Sequence, residues 1–169
     1  QALNLALSQE GREENVNRAD IQEYLKTGGV GMDPTKAAWC AAFVNSSLKQ
    51  AGAPGTGSQV ATSFLNYGEK ADVPIEGDIL VQPRGRVAGQ VGGHVGFATG
   101  NVREGPNGKE YEMFSGNKGN KATLSWEPAS GIQIRRLPGQ TATQAAAAVP
   151  AAPAKPQFGD PGYSLESLT

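Results

Sequence analysis

The chain has 169 residues, with one cysteine, one histidine, and 15 lysines and arginines against 16 aspartates and glutamates. This length allows one domain with a hydrophobic core and a short additional segment. The balanced charge, without a basic stripe, excludes nucleic-acid binding through a phosphate-neutralising surface, and no apolar run reaches the roughly 18 residues that a membrane span needs. A lone cysteine excludes an internal disulfide and a zinc site of several cysteine and histidine ligands, so we expect no metal and no other cofactor.

The helical patterns all lie before residue 70. They predict four helices, over residues 2–9, 18–26, 38–51 and 58–67. Asn17 is placed to cap the second helix and Ser58 to cap the fourth. In the third helix, apolar residues recur every three or four positions, which predicts that this helix packs on one face.

After residue 70, short apolar or alternating runs are separated by glycine, asparagine and proline. These runs predict five strands, over residues 78–82, 94–99, 109–115, 122–126 and 132–136. Helices followed by an antiparallel sheet are typical of an α+β fold. The 23 glycines agree with this prediction, because they allow many turns and close backbone approaches.

The two ends of the chain differ from the part between them. The chain begins at Gln1, with neither an initiator methionine nor a signal segment, so we expect a piece excised or processed from a longer protein. After Leu137 an alanine run leads into a series of prolines. We therefore divide the chain into a domain over residues 1–137 and an Ala/Pro-rich linker and tail over residues 138–169.

The single cysteine and the single histidine lie where thiol chemistry would need them. Cys40 lies where the third helical pattern begins, and a helix N-terminus offers free N–H groups and the positive end of the helix dipole, which favour a thiolate. His94 lies at the start of a predicted strand, from which a neutral imidazole can take the thiol proton and hold the resulting ion pair. The alternative is that Cys40 is a small buried hydrophobe and His94 a satisfied polar residue.

Five short motifs around these residues follow one another in order. They are WCAAFV at 39–44, AGAPGTGS at 51–58, EGDILV at 76–81, GGHVGF at 92–97 and FSGNKGN at 114–120. In this order they resemble the papain-like cell-wall hydrolases grouped as NlpC-type peptidases and CHAP amidases, in particular the small form found in phages and bacterial secreted proteins. The resemblance covers residues 1–137. It implies a papain-like fold, with a nucleophile helix packed on an antiparallel sheet, and hydrolysis of amide bonds in the peptide part of peptidoglycan.

In this family a polar residue on the strand after the histidine strand orients the imidazole, and a catalytic imidazole generally needs such a partner. We predict Asn117 for this role, since its carbonyl accepts a hydrogen bond without adding charge. The alternative is a turn asparagine, because Asn-Lys-Gly-Asn is favourable turn chemistry. Asn120 and Glu112 are the reserve candidates, and Glu112 lies on the opposite face from Asn117 if one regular strand holds both. The backbone N–H of Cys40 is the expected oxyanion donor, with a second donor unidentified.

Two further residues are candidates for substrate contact. Trp39 is a candidate for the wall of the cleft, with a core aromatic beside a helix start as the alternative. Gly93, among the glycines around His94, either leaves room for a substrate backbone or allows a tight bend at the strand start. The segment 76–78, Glu-Gly-Asp, is interpreted as a turn rather than as a second active-site carboxylate.

Two functions remain open at this point. The first is a cysteine hydrolase that cuts peptidoglycan, either between peptide residues or at the muramoyl–alanine amide. The second is a catalytically silent wall-binding or virion structural module with the same fold. The presence of both Cys40 and His94 favours the first. The expected partner is bacterial peptidoglycan, with the tail as a possible contact to other phage virion proteins, and the expected location is a phage virion or the extracellular or periplasmic space.

Overall fold

The computed structural model describes residues 1–85 and 92–137, and in this part of the chain the helices precede most of the sheet. The helices are α1 (Ala2–Leu7), α2 (Arg18–Thr27), α3 (Cys40–Gln50) and a 3-10 helix (Ala61–Asn66). The strands are β1 (Glu69–Ala71), β2 (Ile79–Gln82), β3 (His94–Gly105), β4 (Gly108–Lys118), β5 (Lys121–Pro128) and β6 (Gln133–Arg136). None of the helices described is both long and apolar enough to cross a membrane. The predicted linker and tail, residues 138–169, lie outside the described residues.

The strands form one antiparallel sheet in the order β1-β6-β2-β3-β4-β5, which confirms the α+β class. The prediction of about five strands missed β1, a three-residue strand that pairs with β6 and is too short to show apolar alternation. Strands β3 and β4 are longer than predicted because they continue as a hairpin. Its outer part, residues 102–104, is exposed, so no buried apolar pattern marks it in the sequence.

The sheet carries a different set of side chains on each face. On the face covered by helices, Val95, Phe97 and Phe114 belong to the main core with α3, whose residues from Cys40 to Leu48 are all buried. On the other face a smaller apolar group consists of Leu80, Ala98, Met113 and Ile134. Because the side chains of a strand alternate between the two faces, His94 belongs with the second set.

The N-terminus of α3 packs on the sheet where the regular pairing of β3 with β4 ends. The paired register of these two strands begins at Phe97 and Phe114, and the pairing of β4 with β5 becomes irregular after Ser115. Gly116 lies in this irregular stretch, and a Cβ built on it would be 2.5 Å from the Trp39 ring. The missing side chain therefore lets Trp39, and with it the start of α3, lie directly on the sheet.

Replacing Gly116 with alanine is expected to lower the free energy of unfolding by about 1–3 kcal/mol. The new methyl group would overlap the rings of Trp39 and Phe43, in a part of the core that has no room to expand. Urea denaturation of the purified variant measures the effect. Gly31→Ala is the control, since nothing lies within 4 Å of a Cβ at that position. Equal stability of Gly116→Ala and the wild type would contradict the close contact.

The turn before β2 is held by a buried carboxylate. Asp78 accepts a hydrogen bond from the backbone N–H of Ile75 at 2.9 Å. It also accepts two from the Arg136 guanidinium, at 2.9 and 2.8 Å. The segment 76–78 is thus a turn, as predicted, and its aspartate ties this turn to β6 through a bidentate ion pair.

Candidate active site

Cys40 is the first residue of α3, as predicted, and its side chain is 4% exposed. Trp39, at the N-cap position, makes no side-chain capping bond, so the first N–H groups of the helix are left for other acceptors. The backbone N–H groups of Val95, Ala41 and Cys40 itself act on the thiol and lower its pKa, against the larger raising effect of burial.

The interaction with the Val95 N–H places the thiol at the start of β3. Val95 follows His94 in the chain, so Cys40 lies one residue along the strand from the predicted base. This end of β3 lies before Phe97, where the paired register with β4 begins. The structure therefore places the thiol at the residue that follows the predicted base, and the pairing of Cys40 with His94 as nucleophile and base stays a prediction.

His94 is held by the strands on both sides of it. It is 5% exposed, it lies opposite Gln82 of β2 in the sheet register, and its Nε2 lies 2.8 Å from Oγ of Ser115 in β4. When Nε2 donates to this hydroxyl, the ring is in the tautomer with an unprotonated Nδ1. Nδ1 is then the nitrogen that can take a proton from the thiol.

Burial makes the neutral form of both groups the stable one. It raises the pKa of Cys40, against the lowering effect of three backbone N–H groups and the charge of Arg84. It lowers the pKa of His94 to about 4, with Lys118 and Arg84 acting in the same direction and Glu127 opposing them. At neutral pH the resting pair is thus a thiol and a neutral imidazole. The thiolate expected from the helix start alone is not the resting form, because desolvation outweighs the helix terminus.

A buried carboxylate lies on the same face of the sheet as His94. Glu127 accepts hydrogen bonds from Gln82 Nε2 at 3.1 Å and Ser125 Oγ at 2.8 Å, and it pairs with Lys118 Nζ at 2.6 Å. Burial acts to raise the pKa of Glu127, but these partners together hold it below its ordinary value. Its negative charge raises the pKa of His94, so it favours the imidazolium that forms when the thiol proton is taken.

The hydrogen bond that the sequence analysis assigned to Asn117 is made in the structure by Ser115. Asn117 lies two residues further along, with a φ of 62° in the irregular part of β4, and a catalytic role for it stays a prediction. Asn120 has a φ of 64° in the turn that leads to β5. Glu112 accepts a hydrogen bond from Thr99 at 2.8 Å. Sequence reasoning missed Ser115 and Glu127, although both lie in predicted strands or directly beside them.

The two candidates for substrate contact have structural roles. Trp39 is 0% exposed, donates from Nε1 to Glu14 at 2.9 Å and meets Phe43 edge to face. It is therefore a core aromatic and not the wall of an open cleft, which corrects the prediction. Gly93 has a φ of 79°, and a Cβ there would lie 2.6 Å from the Gln82 carbonyl oxygen, so a tight bend at the strand start requires glycine at this position.

Replacing Ser115 with alanine is expected to lower turnover by roughly 10- to 100-fold. The change removes the hydroxyl that orients His94 but leaves nucleophile and base in place. Steady-state hydrolysis of a peptide substrate measures the effect, which should appear in kcat more than in KM.

Asn117→Gly is the matched control for Ser115→Ala. Glycine keeps the positive φ of this position and removes only the amide side chain. If Ser115 orients His94, the Asn117→Gly variant turns over like the wild type. Full activity in Ser115→Ala together with a large loss in Asn117→Gly would return the orienting role to Asn117.

The site contains a buried thiol, an imidazole within hydrogen-bond distance of the Ser115 hydroxyl, and a buried carboxylate. Nucleophilic attack by sulfur with general-base assistance requires groups of these types. In residues 1–85 and 92–137, no group of three or more His, Cys, Asp or Glu side chains is placed to hold a metal ion. Comparisons with protein-family models, with curated proteins and with solved structures found no match for the chain.

Proposed function

We propose that the chain is a cysteine hydrolase that cleaves amide bonds in the peptide part of peptidoglycan. The proposal is carried by the interaction between the Cys40 thiol and the N–H of Val95, the residue that follows the chain's single histidine. A cysteine that only fills space needs no histidine near it in the chain's fold, whereas a thiol nucleophile needs a base. The substrate class comes from the resemblance of the five motifs to the NlpC-type and CHAP hydrolases.

In the proposed reaction, Nδ1 of His94 takes the thiol proton as the sulfur of Cys40 attacks the carbonyl carbon of the amide. The negative charge then develops on the former carbonyl oxygen, for which the backbone N–H of Cys40 is the proposed donor. The imidazolium gives its proton to the departing amine, and the acyl group stays on sulfur as a thioester. Neutral His94 next takes a proton from water as the water oxygen attacks the thioester. The carbon–sulfur bond then breaks, the imidazolium gives its proton to the departing sulfur, and a carboxylic acid and the free thiol are released.

The proposal includes a papain-like fold and a location at the bacterial cell wall, in a phage virion or outside the cytoplasm. The order of the groups along the chain supports the fold: the nucleophile starts a helix, the base starts a strand, and the orienting hydroxyl lies on the next strand. The location follows only from the substrate class.

Purified peptidoglycan incubated with the protein provides the test. Mass spectrometry of the released fragments shows whether an amide is cleaved, and which one, since each cleavage leaves one new amine and one new carboxylate. Prior treatment with iodoacetamide should abolish the release, because Cys40 is the only thiol. A protein that binds peptidoglycan but releases no fragment would instead be the catalytically silent binding module.

A further inference from the structure

A cleft opens beside His94 at the end of β2. It has a volume of about 230 Å³. Its walls come from the segment that follows β2 and from the segment between β5 and β6, through Gln82, Pro83, Arg84, Gly85, Pro128, Ser130 and Gly131. Gln82 is the residue that faces His94 in the sheet register, so one wall of the cleft adjoins the candidate base.

The amide of Gln82 leaves a hydrogen-bond acceptor without a partner in this region. Its Nε2 donates to the carboxylate of Glu127, and a carboxylate can only accept at this pH, so the orientation of the amide is determined. Its Oε1 is buried and has no hydrogen-bond partner. A buried acceptor left unpaired is costly, and an N–H from a bound molecule would satisfy it.

Arg84 supplies a positive charge to the same cleft. It is an exposed residue of the cleft lining, and its backbone has a φ of 51°, a conformation that is uncommon for residues other than glycine. The ion pairs found among the described residues do not include Arg84. Burial has the largest effect on the pKa of Cys40 and of His94, and the charge of Arg84 lowers both values, so its field reaches the thiol and the imidazole.

We propose that this cleft binds a residue of the substrate that carries a free carboxylate, next to the amide that is cleaved. Arg84 binds the carboxylate, and Oε1 of Gln82 accepts an N–H from the peptide backbone. The inference rests on the proposed function and makes it more specific: the preferred substrate is an anionic peptide, and its carboxamide counterpart is a poor one.

Alkylation of Cys40 tests the charge of the cleft without any need for hydrolysis. The probes are iodoacetate, which is anionic, and iodoacetamide, which is neutral and of similar size. The rate of alkylation by iodoacetate, divided by the rate with iodoacetamide, is expected to fall by about 3- to 10-fold in Arg84→Gln. The same ratio should be largely kept in Arg84→Lys. Lys109→Gln is the control, because it removes the same charge from an exposed residue opposite Glu104 in the outer part of the β3–β4 hairpin.

Hydrolysis of two synthetic peptides then tests the substrate. The peptides differ only in a carboxylate or a carboxamide beside the scissile bond, and the wild type is expected to favour the carboxylate in kcat/KM by about 10-fold or more. Arg84→Gln should lose this preference, and Lys109→Gln should keep it. Equal preferences and equal alkylation ratios in the wild type and Arg84→Gln would overturn the inference. If the wild type still releases fragments from peptidoglycan in that case, the proposed function stands without the anion-binding cleft. If instead the alkylation ratio depends on Arg84 but no fragments are released, the cleft stands and the proposed function is wrong.

Discussion

Replacing Cys40 with serine is expected to abolish hydrolysis, with a loss in kcat of roughly 10⁴-fold or more. Serine differs from cysteine by one atom and fits the same buried site, but its hydroxyl is a far weaker acid than a thiol and a far weaker nucleophile for a neutral imidazole to activate. Release of fragments from purified peptidoglycan, followed over time, measures the loss. The fold is expected to survive, since the serine hydroxyl can accept the same backbone N–H groups.

Ser47→Ala is the matched control for Cys40→Ser. Ser47 is buried in the same helix, where its Oγ lies 2.6 Å from the Tyr24 hydroxyl, so its loss should cost about 1 kcal/mol of stability. It lies two turns from the thiol and should leave turnover unchanged. Hydrolysis by Cys40→Ser at a rate near that of the wild type would contradict the cysteine mechanism, whatever the stability of the control.

Replacing His94 with glutamine is expected to lower turnover by roughly 10³-fold or more. Glutamine can still hydrogen-bond Ser115, so it preserves much of the packing of the buried site, but it cannot take a proton from the thiol. Alkylation of Cys40 by iodoacetamide should also slow, because the resting thiol then has no base beside it. Unchanged rates of hydrolysis and alkylation would show that His94 is a packed polar residue.

The depressed pKa of His94 predicts two dependences on pH. In the wild type the acid limb of kcat/KM should lie near pH 4 rather than near 6.5, since burial lowers the pKa of His94 to about 4. The unfolded chain binds a proton at His94 below its ordinary pKa of 6.5, and the folded protein does not do so until about pH 4. The neutral buried imidazole therefore contributes stability that is complete above pH 6.5 and is lost as the pH falls through about 4.

The size of this loss is on the order of 3 kcal/mol. His94→Gln has no such titration, so the free energy of unfolding of the wild type should fall relative to that of the variant between pH 7.5 and pH 4. Urea denaturation at several pH values measures the difference. Parallel dependences in the two proteins would mean that His94 is not desolvated in the folded state.

Local patterns in the sequence were sufficient to predict most of the helices and strands. Apolar spacing marks α2 and α3, and the start of α3 at Cys40 and of β3 at His94 follows from the change of pattern at these residues. A helix start and a strand start depend mainly on neighbouring residues, which is why both candidates were found from the chain alone. Strand β1 was missed because three residues carry no period, and its pairing with β6 is decided by residues more than 60 positions away.

Only the tertiary structure decided which groups surround the imidazole. Ser115 is the residue whose hydroxyl lies within hydrogen-bond distance of His94, and the one-residue register irregularity that follows it is invisible to period-2 reasoning. Glu127 reaches the site only through pairing across the sheet. The state of the thiol is likewise a tertiary property. The sequence alone placed Cys40 at a helix start, which favours a thiolate, but the folded structure buries both Cys40 and His94. Their desolvation favours the neutral form of each group.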